Sequence, residues 1–424
     1  MKFIATPVKG MNDFLPEDMR LRSHVLQVIR NTYRTFGFDE IETPAMEHIE
    51  NLTGKMGGEN EKLIFKVMKR GRELEKGLLS GEIADSGLRY DLTVPLARYY
   101  ASHRSELPSP MKALQIGNVW RADRPQKGRF RQFTQCDIDI IGDSSAMAEI
   151  ELITATCGAL SAIFSEVGID AFTVHVNDRR ILKSMALTAG FPEDRFDDVF
   201  ITLDKLDKIG PDGVKESLLE QGFEAEAVER YTQMFKQEVE TGQDACVRFC
   251  EAACHETADQ AAARNVDLIL QTASAGVREH VSLVFDPSLV RGMSYYTGTI
   301  FEISIDGYNF SIAGGGRYDE MIGRFSGQDA PACGFSIGFE RIVTILRDLK
   351  WQESTAGTEK WAFLVDEKSA MGRLAEVFAK AADLRGQGLC VTVQPLRKNA
   401  RFQVETLEKN GYTKICKVFA DNVL

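Results

Sequence analysis

NVWRADRPQKGRFRQFTQCDIDI, residues 118–140, is the most informative stretch of the chain. Residues 114–120 and 133–141 read as two strands joined by a turn-rich basic loop, and so as an antiparallel hairpin. Arg121, Arg124, Lys127, Arg129 and Arg131 fall within a short run that holds one acid, Asp123. Guanidinium forks match phosphate oxygens bidentately, which favours Arg121 and Arg129 over the lysine as phosphate ligands. Phe133 offers a face on which a purine can stack. On the return strand the two-residue period puts Gln135, Asp137 and Asp139 on one face, opposite Cys136 and Ile138. One hairpin thus combines a phosphate clamp, a stacking platform and acids that suit an ammonium group.

The bulk properties limit what such a hairpin can belong to. At 424 residues, 44% hydrophobic and 27% charged, the chain exceeds a single core and implies two or three ordinary globular domains. The formal net charge of -11 argues against nucleic-acid binding by overall charge, so any such contact is local. No long uncharged apolar run is present, and acids enter the N-terminal segment early, so neither a membrane span nor a secretory signal is expected and a cytoplasmic location is. The eight cysteines read as reduced thiols. Cys246, Cys250 and Cys254 recur every four residues, which places them on one helical face, read as a small buried surface ahead of a metal site.

Working outward, residues 17–36 carry Leu21, Val25, Val28, Ile29, Tyr33 and Phe36 near a 3.6-residue period after Pro16-Glu17-Asp18, which predicts an amphipathic helix. Gly37 ends it, and residues 38–43 alternate as a strand up to Pro44. Residues 62–69 and 88–93 read as strands, and a helix begins at Thr93. Helical periodicity returns over 147–167, followed by a strand at 172–176. The segment 178–275 is rich in Glu, Asp, Lys, Ala and Gln and reads as a helical insertion with its own lobe. Strands are expected again at 281–285, 300–305 and 308–313, the last ending before the turn-like Gly314-Gly315-Gly316. A helix should run from Gly338 through Arg341. Residues 350–360 form a polar linker, and 361–424 alternate strand and helix as a short α/β domain.

The 118–140 hairpin resembles the second signature motif of class II aminoacyl-tRNA synthetases, and its Arg-Gln-Phe-x-Gln wording resembles the histidyl enzymes in particular. Other stretches resemble the same family in the same order. Lys9-Gly10-Met11-Asn12-Asp13 with the following helix, strand and Pro44 is similar to its first, dimer-forming motif. Leu88-Arg89-Tyr90-Asp91-Leu92-Thr93 is similar to its amino-acid-binding strand, and Leu289 to Gly298, with Arg291-Gly292-Met293-Ser294-Tyr295-Tyr296, to its histidine signature. Gly314 to Asp319 and Gly334 to Arg341 are similar to the second histidine signature and the third motif. The resemblance covers roughly residues 8–345, with a weaker likeness in the tail.

It implies an α+β fold: an antiparallel-sheet class II synthetase catalytic domain in two parts (1–177 and 276–350), a helical insertion (178–275) and a short anticodon-binding-like α/β domain (361–424). It also implies activation of L-histidine by ATP with Mg²⁺, and then transfer to tRNA(His), by a homodimer. By the same resemblance Arg121 and Arg291 flank the α-phosphate and the histidine carboxylate, and Arg341 holds the distal phosphates. Asp123, Arg129 and Phe133 join them around ATP. Asp91, Thr93 and Gln135 form the ammonium end of the histidine site and Asp139, Tyr295 and Tyr296 its imidazole end, with Leu92 a further histidine-binding residue. No protein metal ligand is assigned. Ser294 stands where many members carry an acid, and the tail is shorter than usual, with Arg397, Lys398 and Arg401 as its candidate tRNA contacts. The rival expectation is a non-catalytic relative, similar to the regulatory subunit of histidine biosynthesis, which predicts eroded phosphate arginines.

Overall fold

The computed structural model describes residues 3–53, 63–125, 130–235, 242–254, 257–291, 295–352 and 359–421. Helix α1 (Pro16–Thr35) begins on a proline, whose missing N–H has no intrahelical partner to lose there, with Glu17 and Asp18 in its first turn and Arg34 in its last. It buries Leu21, Val25, Ile29 and Tyr33, the face that the periodicity predicts. Then come β1 (Asp39–Ile41), β2 (Met46–His48), α2 (Ile49–Thr53), β3 (Lys66–Met68), α3 (Gly71–Ser80), β4 (Ala84–Leu88) and α4 (Thr93–His103). The quoted hairpin is β5 (Met111–Trp120) and β6 (Gln132–Ile141), followed by α5 (Met147–Phe164) and β7 (Phe172–Asp178). A helical run occupies α6 (Arg179–Ala189), α7 (Phe196–Leu203), α8 (Leu206–Glu220), α9 (Ala225–Met234), α10 (Ala245–Cys254) and α11 (Gln260–Ser274). The chain returns to sheet through β8 (Val281–Phe285), β9 (Thr299–Ser304) and β10 (Ala313–Arg317), then α12 (Glu320–Ser326), β11 (Ala332–Ile337) and α13 (Phe339–Asp348).

Among the described residues, eight of these strands form one sheet in the order β1-β5-β6-β11-β10-β9-β7-β8. All neighbours run antiparallel except the outer pairs β1 with β5 and β7 with β8. Strand alternation divides the chemistry of β6. Cys136, Ile138 and Ile140 are buried in the apolar core, where α5 lies against β6 and β11 and packs on α1, while Gln135, Asp137 and Asp139 face a cleft on the other side. The helix from Met147 to Val167 is long and apolar enough to cross a membrane by length and composition, but 67% of it is buried inside this core. Cys246, Cys250 and Cys254 share the buried face of α10, as their spacing predicts.

Two strand assignments read from the sequence do not hold. Residues 88–93 are not a strand: β4 ends at Leu88, and the polar side chains that mimicked strand alternation fold the backbone into α4 instead. Arg89 donates to the carbonyl oxygens of Thr43 and Asn118 at 2.5 and 2.9 Å, and Asp91 accepts from the Val94 N–H at 3.2 Å. The strand expected at 308–313 lies later, at Ala313–Arg317, and contains the glycine triplet that reads as a turn. A Cβ on Gly315 would stand 2.0 Å from the Gly334 carbonyl oxygen, so the close pairing of β10 with β11 requires glycine there.

Met1–Trp351 and Gln352–Leu424 are separate compact units, and the helical run belongs to the first. In the second, β12 (Lys360–Val365), α14 (Leu374–Gly386), β13 (Cys390–Pro395), α15 (Ala400–Lys409) and β14 (Lys414–Val418) build a parallel sheet in the order β13-β12-β14. The central strand alternates between two cores. Phe363 and Val365 join Val377, Ala381 and Leu384, while Ala362 and Leu364 join Leu407.

Candidate active site

The cleft above β6, β10 and β11 has a volume of about 940 Å³. It collects Asp91, Thr93, Arg121, Asp123, Phe133, Gln135, Asp139, Arg291, Tyr295, Tyr296 and Arg341, which are scattered over 251 positions of sequence from 91 to 341. Leu92 lies beneath this surface instead, buried, with its carbonyl accepting from Gln115 Nε2 at 3.2 Å. Arg129 and Ser294 fall outside the described residues.

The floor follows the strand registers. Gln135, Asp137 and Asp139 project from β6, and on the neighbouring strand Ser336 pairs with Asp137 and Gly334 with Asp139. Gly334 is required by the acid opposite it: a Cβ there would lie 2.0 Å from Asp139 Oδ1. Tyr318 Oη donates to that same oxygen at 2.6 Å, and Tyr295 lies between Tyr318 and Tyr296, with ring centroids 6.1 and 4.7 Å away. Carboxylate and phenols thus converge where a planar, two-nitrogen ring can be read by one donor and one acceptor.

Three acids crowd this floor. Burial pushes the Asp91 carboxyl up to about 6, against which the Val94 N–H pulls down. Burial likewise raises Asp137 to about 7, and burial with the neighbouring Asp137 raises Asp139 well above the usual carboxylate range. Burial also raises the Tyr295 and Tyr296 phenols, so both remain donors at neutral pH.

The cations sit around these acids. Arg121 is anchored by Nε on the Tyr90 carbonyl at 2.9 Å and lies over the Phe133 ring, its Cζ 5.1 Å from the centroid. Arg341 lies over Phe310 at 5.6 Å and is held by Ser311, through both its hydroxyl and its carbonyl. Arg291 pairs with Glu302; burial lowers its guanidinium, but the charge and hydrogen bond of Glu302 together with the nearby Tyr296 and Tyr295 outweigh burial and raise it. Its seat is Gly314, which is paired with Glu302 across β9 and β10 and over which the guanidinium packs.

Among the described residues, three buried atoms in the cleft have no hydrogen-bond partner: Asp91 Oδ2, Gln135 Oε1 and Arg291 Nε. Two acceptors and one cationic donor left unmatched in one buried cleft are the complement of a zwitterion, because burying such groups unpaired is costly.

Sequence reasoning missed several contributors. Glu302 was signalled only as an acid inside the apolar run Thr299–Ser304. Ser336 and Tyr318 lie inside quoted motifs without a role of their own, and Lys208, which lines the cleft from the helical run, carried no signal. Asp137 was placed on the correct face but given no task.

Comparison with known proteins agrees with this geometry. The sequence profile of the family described as histidyl-tRNA synthetase matches residues 10–342. The chain is 44% identical over 428 residues to a histidine–tRNA ligase of Leifsonia xyli subsp. xyli, covering 98% of this chain and 96% of that one. It is 39% identical over 401 residues to the histidine–tRNA ligase of Porphyromonas gingivalis, covering 91% and 86%. The crystal structure of histidyl-tRNA synthetase from Nostoc sp. PCC 7120 superposes with a TM-score of 0.77 at 26% identity, over 97% of this chain and 90% of that one. A Bacillus halodurans structure titled as an ATP phosphoribosyltransferase regulatory subunit/histidyl-tRNA synthetase shares the fold, with a TM-score of 0.78 at 22% identity over the full length of both. With the profile spanning most of its length and relatives this similar nearly end to end, the chain belongs to the histidyl-tRNA synthetase family.

Proposed function

We propose that this chain activates L-histidine with ATP and transfers it to the 3′ end of tRNA(His). In the first step a carboxylate oxygen of histidine bonds to the α-phosphorus as the bond to the bridging oxygen breaks, giving histidyl-adenylate and pyrophosphate. A terminal hydroxyl of the tRNA then attacks the histidyl carbonyl and AMP leaves. Neither step needs a protein nucleophile, so the work is positioning and charge stabilisation. Arg121 and Arg291 are assigned to the α-phosphate and carboxylate, Arg341 to the distal phosphates, and Phe133 with Asp123 and Arg129 to the nucleotide. Asp91, Thr93 and Gln135 are assigned to the ammonium, and Asp139, Tyr295 and Tyr296 to the imidazole.

The observation that carries this reading is the set of unmatched buried atoms, Asp91 Oδ2, Gln135 Oε1 and Arg291 Nε, in the cleft that also holds Asp139 and the tyrosines. Selectivity follows, since a side chain that leaves a buried carboxylate or phenol unpaired costs about 1–3 kcal/mol per group. Mg²⁺ is proposed to accompany the phosphates of the nucleotide, since hard-cation sites of this kind use few protein ligands. No step is assigned to it.

The same reading takes the chain as a cytoplasmic homodimer, supported by exposed apolar side chains at Phe14, Leu15 and Met19 around the start of α1. It divides the chain into catalytic segments 1–177 and 276–350, the insertion 178–275 and the tail 361–424. Arg397 and Lys398 before α15, and Arg401 in its first turn, are assigned to tRNA phosphates. A non-catalytic regulatory role predicts loss of the phosphate arginines, and the presence of Arg121, Arg291 and Arg341 in one cleft argues against it. Histidine-dependent exchange of pyrophosphate into ATP by the purified chain, then charging of tRNA(His), tests the proposal. Absence of exchange above background refutes it, and exchange without charging refutes the tRNA assignments alone.

A further inference from the structure

We propose that Asp137 is a positioning residue for the substrate's ammonium group, holding the Gln135 amide so that its carbonyl oxygen, not its NH2, faces the cleft. The inference rests on the histidine reading above and concerns a residue to which that reading gives no task.

The two side chains stand two residues apart on the same face of β6, and Ser336 pairs with Asp137 from β11. Gln135 Nε2 donates to Asp137 Oδ2 and Oδ1 at 3.2 and 3.4 Å and to Ser336 Oγ at 3.2 Å. Ser336 Oγ in turn donates to Asp137 Oδ1 at 2.5 Å. A bound ammonium favours the ionised form of Asp137, and an ionised carboxylate can only accept, so it selects the NH2 end of the amide. What remains is Gln135 Oε1, buried and unpartnered in the same cleft as the equally unpartnered Asp91 Oδ2. Two fixed acceptors suit the N–H groups of an ammonium. An amide free to rotate by half a turn would present donors to a cation instead, at little local cost. Asp137 is 5% exposed, so its bonds are not diluted by solvent.

The test uses three ligands on the full chain: histidine; histidinol, which keeps the ammonium and imidazole but lacks the carboxylate; and 3-(imidazol-4-yl)propionate, which lacks the ammonium. For Asp137→Asn, Kd for histidine and histidinol is expected to rise on the order of ten- to a hundredfold, the loss typical of a hydrogen bond to a charged group, while the propionate changes by less than about threefold. Ser336→Ala keeps the carboxylate and removes only the clamp, so weakening in the same ligand-selective direction separates orientation from plain loss of charge. The swapped pair Gln135→Glu/Asp137→Asn again places an amide NH2 against an acceptor and is expected to recover histidinol binding. Equal weakening of all three ligands, or no weakening, in both single variants overturns the role of Asp137. Failure of the unmodified chain to bind any of the three overturns the histidine reading itself, and this inference with it.

Discussion

Gly314→Ala separates the position of Arg291 from its mere presence. A Cβ on Gly314 lies 2.5, 2.6 and 2.7 Å from Nη1, Cζ and Nη2 of Arg291, where ordinary contact begins at 3.4 Å. The guanidinium must therefore retreat by roughly 0.7–0.9 Å to restore van der Waals separation. It can do so cheaply for the fold, being the far end of a flexible side chain. The site fares worse, because a displacement of about 1 Å in a near-attack geometry costs on the order of a hundredfold, or about 2.7 kcal/mol of transition-state stabilisation. Pyrophosphate exchange should show kcat/KM for histidine reduced by about that factor, with a melting temperature close to that of the parent chain. Gly315→Ala is the contrasting case. Its Cβ meets the backbone oxygen of Gly334 at 2.0 Å, so β10 and β11 must separate and stability itself should fall. A Gly314→Ala chain with unchanged kcat/KM, or one whose activity falls only in step with its folded fraction, refutes the argument that Arg291 acts by placement.

Arg22 and Glu340 are both buried and paired at 2.6 and 2.8 Å, joining α1 to α13, so Glu340→Gln should destabilise the first unit by about 3–5 kcal/mol in urea unfolding, the cost of stranding a buried charge. The double variant Arg22→Met/Glu340→Leu should recover much of that loss, and strict additivity of the two single effects would contradict the coupling. Burial pushes Asp91 and Asp137 up to about 6 and about 7 in the folded chain, well above the usual carboxylate range, so the folded chain holds protons that the unfolded chain releases. Their contribution to stability is complete below the unfolded value and is lost as pH rises through the folded ones, so the melting temperature of the ligand-free chain should fall between about pH 4 and 7. Asp137→Asn should flatten that slope; an unchanged slope would show that the acid is not protonated in this window. Arg291→His should lower kcat for exchange as well as raise KM for histidine, and a loss confined to KM argues against an α-phosphate contact.

What the sequence discloses and what it hides divide along one physical line. The α1 helix and the β5–β6 hairpin are legible because their signals are local: a 3.6-residue apolar period behind a proline, and a two-residue period that sorts Gln135, Asp137 and Asp139 from Cys136 and Ile138. Signals fail where a residue's role is set by a strand distant in sequence. Residues 88–93 alternate like a strand, yet Arg89 spends its donors on the carbonyls of Thr43 and Asn118, and nothing nearby in the sequence announces those partners. The glycine triplet fails for the opposite reason: glycine is a poor strand former and a good turn former, so local propensity points away from β10. The register of the sheet reverses that preference. Gly314 lies opposite Glu302, and the space its missing side chain leaves is filled by Arg291, which Glu302 holds. Each of the three is odd alone: a glycine in a strand, an acid in an apolar run, an arginine whose buried Nε is unmatched among the described residues. Together they form one device, in which the acid fixes the cation, the glycine makes room for it, and the remaining donor is left for an anion. The family likeness identifies Arg291, but only the pairing of β9 with β10 explains why the other two residues must be what they are.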